Sequence, residues 1–141
     1  MRICLKKIKK MSKTSLFSTV SEREAKNLSP VTLAFLGDAV YSLYVREKYV
    51  LKADYPSGTL QKLTSGEVSA HGQNVTLERV KDTFNEDEEA IFRRGRNAKK
   101  PTHSKNATLS EYNNSTGFEA VLGYLYLTGQ YARIEELLEG E

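Results

Sequence analysis

Two apolar, glycine-marked segments far apart in the chain each carry one carboxylate. They are Leu33-Ala34-Phe35-Leu36-Gly37-Asp38-Ala39-Val40-Tyr41 and Gly117-Phe118-Glu119-Ala120-Val121-Leu122-Gly123-Tyr124. Asp and Glu are among the residues least often buried without a partner, and an unpaired buried carboxylate is costly or takes up a proton. A single Asp in a core helix is as readily a buried hydrogen-bonding residue. Two such residues, each near a glycine that lets helix backbones approach closely, point to convergence on one hard cation. The corresponding chemistry is metal-assisted hydrolysis.

The remaining side chains narrow the choice. Neither His71 nor His103 has a His or Cys partner at zinc-ligand spacing. No Gly-rich loop leads into Lys and Ser/Thr, and no serine sits in an elbow-like setting. What is left is a carboxylate pair and a basic segment, Arg93 to Lys105, that holds Arg93, Arg94, Arg96, Lys99, Lys100, Lys105 and His103 without an acid. That inventory suits magnesium, which takes one or two carboxylates and completes its shell with water and substrate phosphate. The metal polarises a phosphoryl oxygen and activates water, while Arg and Lys hold the polyanion. The alternative for the basic run is a solvated loop with no partner.

Size and composition bound the surroundings. The chain has 141 residues, of which 39% are hydrophobic and 28% charged, as expected of one globular domain. No stretch approaches the ~20 apolar residues of a membrane span, and the N-terminus lacks the h-region of a signal peptide. The only cysteine, Cys4, excludes an intrachain disulfide and fits a cytoplasmic location. Net charge is +3, yet six of the 21 basic residues fall in the first thirteen positions, where there is no acid. Residues 1–20 are therefore expected to be a flexible basic extension and residues 21–141 the single folded domain.

The elements that must position these groups read as helices throughout, giving an all-α fold. Ser29 caps a helix with Pro30 at its first position; Leu33, Leu36, Val40, Leu43 and Tyr44 give it a buried face to about Leu51. It is apolar on several sides and is expected to be the central helix. A turn at Tyr55-Pro56-Ser57-Gly58 precedes a helix from Thr59 to about Gln73, then a short one from Leu77 to Phe84. Asn85 caps the next, whose Glu86-Asp87-Glu88-Glu89 and terminal arginines follow the helix dipole, with Arg93 pairing to Glu89. Lys99 to Asn114 reads as a long polar loop. Asn114 or Ser115 then caps a second key helix, Thr116 to Leu127, and Tyr131 to Leu138 forms the last.

These motifs together resemble a known family. Phe35-Leu36-Gly37-Asp38-Ala39-Val40 resembles the Phe-Leu-Gly-Asp signature of the ribonuclease III catalytic domain, and Phe118-Glu119-Ala120-Val121-Leu122-Gly123 resembles its second carboxylate helix. The runs Leu-Gly-Asp-Ala-Val-Tyr, Phe-Arg-Arg-Gly-Arg-Asn-Ala-Lys and Ser-Thr-Gly-Phe-Glu-Ala-Val-Leu-Gly-Tyr are similar to those of the Mini-ribonuclease III group. The resemblance covers roughly Leu28 to Leu138. It implies an all-helical homodimer that cuts double-stranded RNA with magnesium, leaves 5′-phosphate ends, and matures precursor large-subunit (23S) ribosomal RNA in the cytoplasm without a separate RNA-binding domain.

The same resemblance implies roles for particular residues. Asp38 and Glu119 would be the catalytic metal ligands. Phe35 matches an aromatic that packs across the dimer, although a core role fits the sequence equally. Arg94, Arg96, Asn97, Lys99, Lys100, Lys105 and Asn106 would contact RNA in place of the missing domain. Larger ribonuclease III enzymes carry further carboxylates where this chain has Val31, Ala34 and Thr116. Fewer ligands should leave the cation more water and weaker binding. The rivals are a duplex-RNA-binding module of the same fold with little or no catalysis, and a helical interaction domain without a nucleic-acid partner.

Overall fold

The computed structural model describes residues 17–99 and 107–139, and it is helical from end to end with no strand among those residues. The helices are α1 (Glu22–Lys26), α2 (Pro30–Lys52), α3 (Ser57–Val68), α4 (Ala70–Val80), α5 (Glu86–Asn97), α6 (Leu109–Leu127) and α7 (Tyr131–Glu139), with a 3-10 turn at Lys81–Thr83 after α4. None is long and apolar enough to cross a membrane. The N-terminal part of the basic extension, residues 1–16 with Cys4, lies outside the described residues. Val20 is buried and donates its N–H to the Leu127 carbonyl at 2.9 Å, so the chain is already packed there.

The centre of the molecule is α6 rather than α2. Every residue of α6 from Ser115 to Leu125 is buried except Glu119. Against it lie α2, α5 and α4, with α2 making the most extensive contact. By contrast α2 buries only Leu33, Ala34, Gly37, Tyr41 and Val45 and leaves Phe35, Leu43, Val50 and Leu51 exposed. The expectation that α2 is the central helix is thereby corrected. Its composition suits a core, but several of its large apolar side chains are left uncovered by the described residues.

Two boundaries also differ from expectation, each through a cap. Thr108 accepts from the Glu111 N–H at 3.0 Å, while the Glu111 side chain accepts from the Thr108 N–H at 3.3 Å. This reciprocal box starts α6 at Leu109, so residues 109–114, read as the end of the loop, are helix. Ser69 divides what had read as one helix running to Gln73. Its backbone is extended, and its hydroxyl oxygen accepts from the Gly72 N–H at 3.1 Å, ending α3 and opening α4. The expected short helix from Leu77 to Phe84 is the end of α4 followed by the 3-10 turn.

Elsewhere the local signals act as read. Ser29 accepts from the Val31 N–H with Pro30 in the first turn. Asn85 and Glu88 form a second reciprocal box at the start of α5. Glu88 is also wholly buried, and its carboxylate is gripped by Arg133 of α7 at 2.8 and 2.9 Å. The acidic run is thus structural, and Arg93 reaches Glu89 at 3.4 Å.

Candidate active site

A near-contact of two helix backbones builds the site. A Cβ added to Gly37 of α2 would stand 1.7 Å from the Glu119 carbonyl oxygen, and one added to Gly123 of α6 would stand 2.0 Å from the Leu33 carbonyl oxygen. Only glycine fits at this reciprocal crossing. The residue after Gly37 is Asp38, so the crossing brings the Asp38 and Glu119 carboxyl groups into hydrogen-bonding contact. Burial first, and then the Asp38 carboxyl, push the Glu119 pKa up to about 9.

Around the pair is an open cleft of about 450 Å³ floored by α2, α4 and α6. Val31, Ala34 and Thr116 line it, so the three carboxylate positions that the resemblance finds replaced lie beside the retained pair. Thr116 turns its hydroxyl back onto the Tyr112 carbonyl at 3.0 Å. The donor set fits a divalent cation of the magnesium type. Two acidic oxygen donors face one solvent-open cleft, and opposite charge there would offset the cost of ionising Glu119. Among the described residues no group of three or more His, Cys, Asp or Glu is placed to hold a metal ion, so water and substrate would complete such a shell.

One residue of the site was not anticipated. Gln73 of α4 is 3% exposed, lines the cleft, and donates its Nε2 to Glu119 Oε2 at 3.3 Å and to the Val68 carbonyl at 3.1 Å. Its signal in the sequence is a polar residue on the apolar stripe Gln73-Leu77-Val80, the buried face of α4. That stripe is visible only once Ser69 is recognised as a cap. A polar seam fixes α4 against α6 beside it: Asn74 Nδ2 donates to the Glu111 carbonyl at 2.9 Å, and His71 Nδ1 pairs with Glu111 at 2.6 Å.

The described residues assigned to RNA (Arg94, Arg96, Asn97 and Lys99) do not line the carboxylate cleft. Arg94 directs its guanidinium to the carbonyls of Lys26 and Leu28 at 3.1 and 3.2 Å, tying α5 to the α1–α2 connection. Arg96 stacks over Phe92 at 5.6 Å, with its Nε 3.4 Å from the Asn97 side-chain oxygen. Asn97 and Lys99 are exposed at the end of α5, which crosses α6 where Gly95 meets Gly117. Lys100, Lys105, Asn106 and His103 lie outside the described residues. Phe35 is 85% exposed at the rim of the cleft and is not packed into the core formed by the described residues.

Comparison with known proteins decides the family. The Ribonuclease III domain model matches residues 31–130, which hold both carboxylates and their crossing. The chain belongs to the ribonuclease III family. Within it the chain is similar to Mini-ribonuclease 3 of a Thermoanaerobacter species, 47% identical over 113 residues and 80% of each chain. It is also similar to Mini-ribonuclease 3 of Clostridium tetani, 37% identical over 92% of this chain and 86% of the relative. A crystal structure of a Fusobacterium nucleatum protein superposes with a TM-score of 0.75 at 32% identity, covering 81% of this chain and 93% of that one. The chain is thus a Mini-ribonuclease III-type endoribonuclease, from a family that acts on double-stranded RNA.

Proposed function

We propose that this ribonuclease III relative is a magnesium-dependent endoribonuclease that hydrolyses duplex RNA and matures the ends of precursor large-subunit (23S) ribosomal RNA in the cytoplasm. The observation that carries the reading is the meeting of Asp38 and Glu119 in one cleft at the Gly37–Gly123 crossing. Asp38 and Glu119 would hold the cation. When bound, magnesium supplies Lewis-acid polarisation of the phosphoryl oxygen and an activated water, giving 5′-phosphate and 3′-hydroxyl ends. The two helices keep the carboxyl groups in register, and Gln73 restrains Glu119 from the side.

A duplex has two strands, and one site cuts one of them. The uncovered apolar face of α2, with Phe35 85% exposed beside the cleft, supports a two-fold homodimer with Phe35 in its interface. Affinity for a duplex comes mostly from neutralised phosphates. Arg96, Asn97, Lys99, Lys100, Lys105 and Asn106 would supply those contacts, together with whatever face of Arg94 its carbonyl bonds leave open. Residues 21–141 act as the single catalytic domain, with the first twenty residues as a basic extension.

The test is cleavage of a long RNA duplex with and without magnesium, using Asp38→Asn as the control. Magnesium-dependent 5′-phosphate products from the wild type, lost about a thousandfold in Asp38→Asn, are expected from the removal of several kcal/mol of transition-state stabilisation. Duplex binding without cleavage by the wild type would assign the chain to the inactive binding-module reading instead.

A further inference from the structure

Only two buried side-chain polar atoms among the described residues lack a hydrogen-bond partner, and one of them belongs to the active-site cleft: Gln73 Oε1. A buried acceptor left unsatisfied costs about 1–3 kcal/mol and is uncommon enough to need a reason. The amide cannot be turned round to remove the problem. The Val68 carbonyl only accepts, so the group facing it at 3.1 Å is the NH₂, which also donates to Glu119. Reversing the amide would set its oxygen against the Val68 carbonyl oxygen.

Apart from Asp38, Glu119, Gln73 and Tyr112, the described residues lining the cleft direct their side-chain donors elsewhere or have no polar side-chain atom. Ser115 and Thr116 turn their hydroxyls onto the Tyr112 carbonyl at 2.8 and 3.0 Å, while Val31, Ala34, Val68 and Ala70 present no polar side-chain atom. Gln73 itself is held firmly, because α4 is stitched to α6 through Asn74, which donates to the Glu111 carbonyl and accepts from Asn114 at 3.2 Å.

We infer that Gln73 is a positioning residue of the cation site, whose nitrogen orients Glu119 and whose free oxygen accepts a hydrogen bond from a water of the cation's shell. A hydrated cation held by only two carboxylates needs such acceptors, since each of its waters presents polarised O–H groups to the walls. Outer-shell partners of this kind are worth about 10–100-fold in metal affinity. The inference rests on the metal site proposed above and adds a third group to it.

Two substitutions separate this role from mere packing. Gln73→Met keeps the length and removes both polar atoms; Gln73→Glu removes the donor but keeps an oxygen where Oε1 stands. Both lose the contacts to Val68 and Glu119. The probe is Mn²⁺ alone, titrated into the RNA-free full chain, with free ion read by electron paramagnetic resonance and folding by thermal melting. Gln73→Met should bind Mn²⁺ at least about tenfold more weakly, and Gln73→Glu as tightly as the wild type or more so. Equal weakening in both variants would make the nitrogen contacts the whole role and overturn the inference, as would a Gln73→Met isotherm matching the wild type. If Gln73→Met does not fold, Gln73→Glu decides alone: weaker binding than the wild type refutes the assignment. Asp38→Asn keeps the two levels distinct. Undiminished Mn²⁺ binding there removes the two-carboxylate site itself, whereas loss there with normal binding in Gln73→Met removes only the part given to Gln73.

Discussion

Helices α2 and α6 are alike in sequence and opposite in circumstance. Each is apolar over most of its circumference, each brings one carboxylate to the cleft, and each contributes one glycine to their crossing. Yet Phe118 of α6 is 0% exposed and Phe35 of α2 is 85% exposed. A helix that is hydrophobic all round has to be covered somewhere. For α6 the cover comes from the other helices of this chain; for α2 one side is left uncovered by the described residues. The carboxylates divide the same way, with Glu119 the single gap in a buried helix and Asp38 on the exposed edge of the other. One carboxylate is anchored in the buried core and the other stands at the rim of the exposed apolar face, so the site lies at the border between them.

The two phenylalanines test that contrast most sharply. Phe118→Ala should cost about 3–5 kcal/mol in denaturant unfolding, because it opens a cavity in the best-packed helix. Phe35→Ala should leave the unfolding of an isolated subunit nearly unchanged and instead shift sedimentation from dimer towards monomer. A Phe35→Ala protein that stays dimeric with full cleavage would break the comparison at its α2 side.

The crossing can be probed with a glycine control. Gly37→Ala would force a Cβ against the Glu119 backbone, with an expected loss of about 3 kcal/mol or more and of cleavage, since the carboxyl groups part as the helices move. Gly58, in the first turn of α3, has nothing within 4 Å of an added Cβ. Gly58→Ala should therefore stabilise by about 0.4–1 kcal/mol through the unfolded chain alone. Chemical denaturation of the two variants side by side reads both effects.

What the sequence disclosed was local, and what it hid was not. Asp38, Glu119 and their glycines were legible because a charge inside an apolar helical run is anomalous within a few residues. The caps at Ser29 and Asn85 were legible for the same reason. The start of α6 was passed over although Thr108 and Glu111 spell a reciprocal cap, because the polar residues between Tyr112 and Ser115 resemble a loop; Ser115 is in fact buried. Ser69 was lost inside an apparently continuous pattern, and Gln73 with it. The exchange of α2 for α6 as the centre has a deeper cause. Composition reports that a helix needs covering and is silent on whether its own chain or a second one does so.

A smaller effect concerns the segment between α5 and α6, whose charge is proposed to grip RNA while the two carboxylates cut it. Lys99 is exposed just beyond α5, clear of the carboxylate cleft. Lys99→Ala should weaken duplex binding irrespective of sequence and lower the slope of log affinity against log salt by about one, with Lys100→Ala and Lys105→Ala acting alike. Cleavage at saturating RNA should stay near normal. Filter binding across a salt series is the measurement, and an unchanged slope in the triple variant would return this segment to the solvated alternative.

The smallest effect lies at the other end of α2, which is held differently from its crossing with α6. Near its C-terminus, Lys48 pairs with Glu67 of α3 at 2.6 Å and the Tyr49 hydroxyl donates to the same carboxylate. Burial works against the charge on Glu67, but the hydrogen bonds from Lys48 and Tyr49 win and lower its pKa, while Tyr49 is pushed up to about 12 by Glu67. An acid with a depressed pKa in the folded state binds its proton more readily when unfolded. Its contribution is therefore complete above the ordinary carboxylate range and fades as pH falls through the lowered value. Glu67 is part-exposed, so the effect should stay under about 1 kcal/mol. Glu67→Gln should accordingly lower the melting temperature slightly at neutral pH and not at all in acid, where the wild type has already lost the ionised tie. The buried crossing of α2 with α6 has no such dependence on Glu67, so hydrogen exchange in the Glu67→Gln protein should rise around Tyr49 and stay protected around Gly37. Equal loosening at both places would mean that α2 opens as one unit, and that its two ends are not held independently.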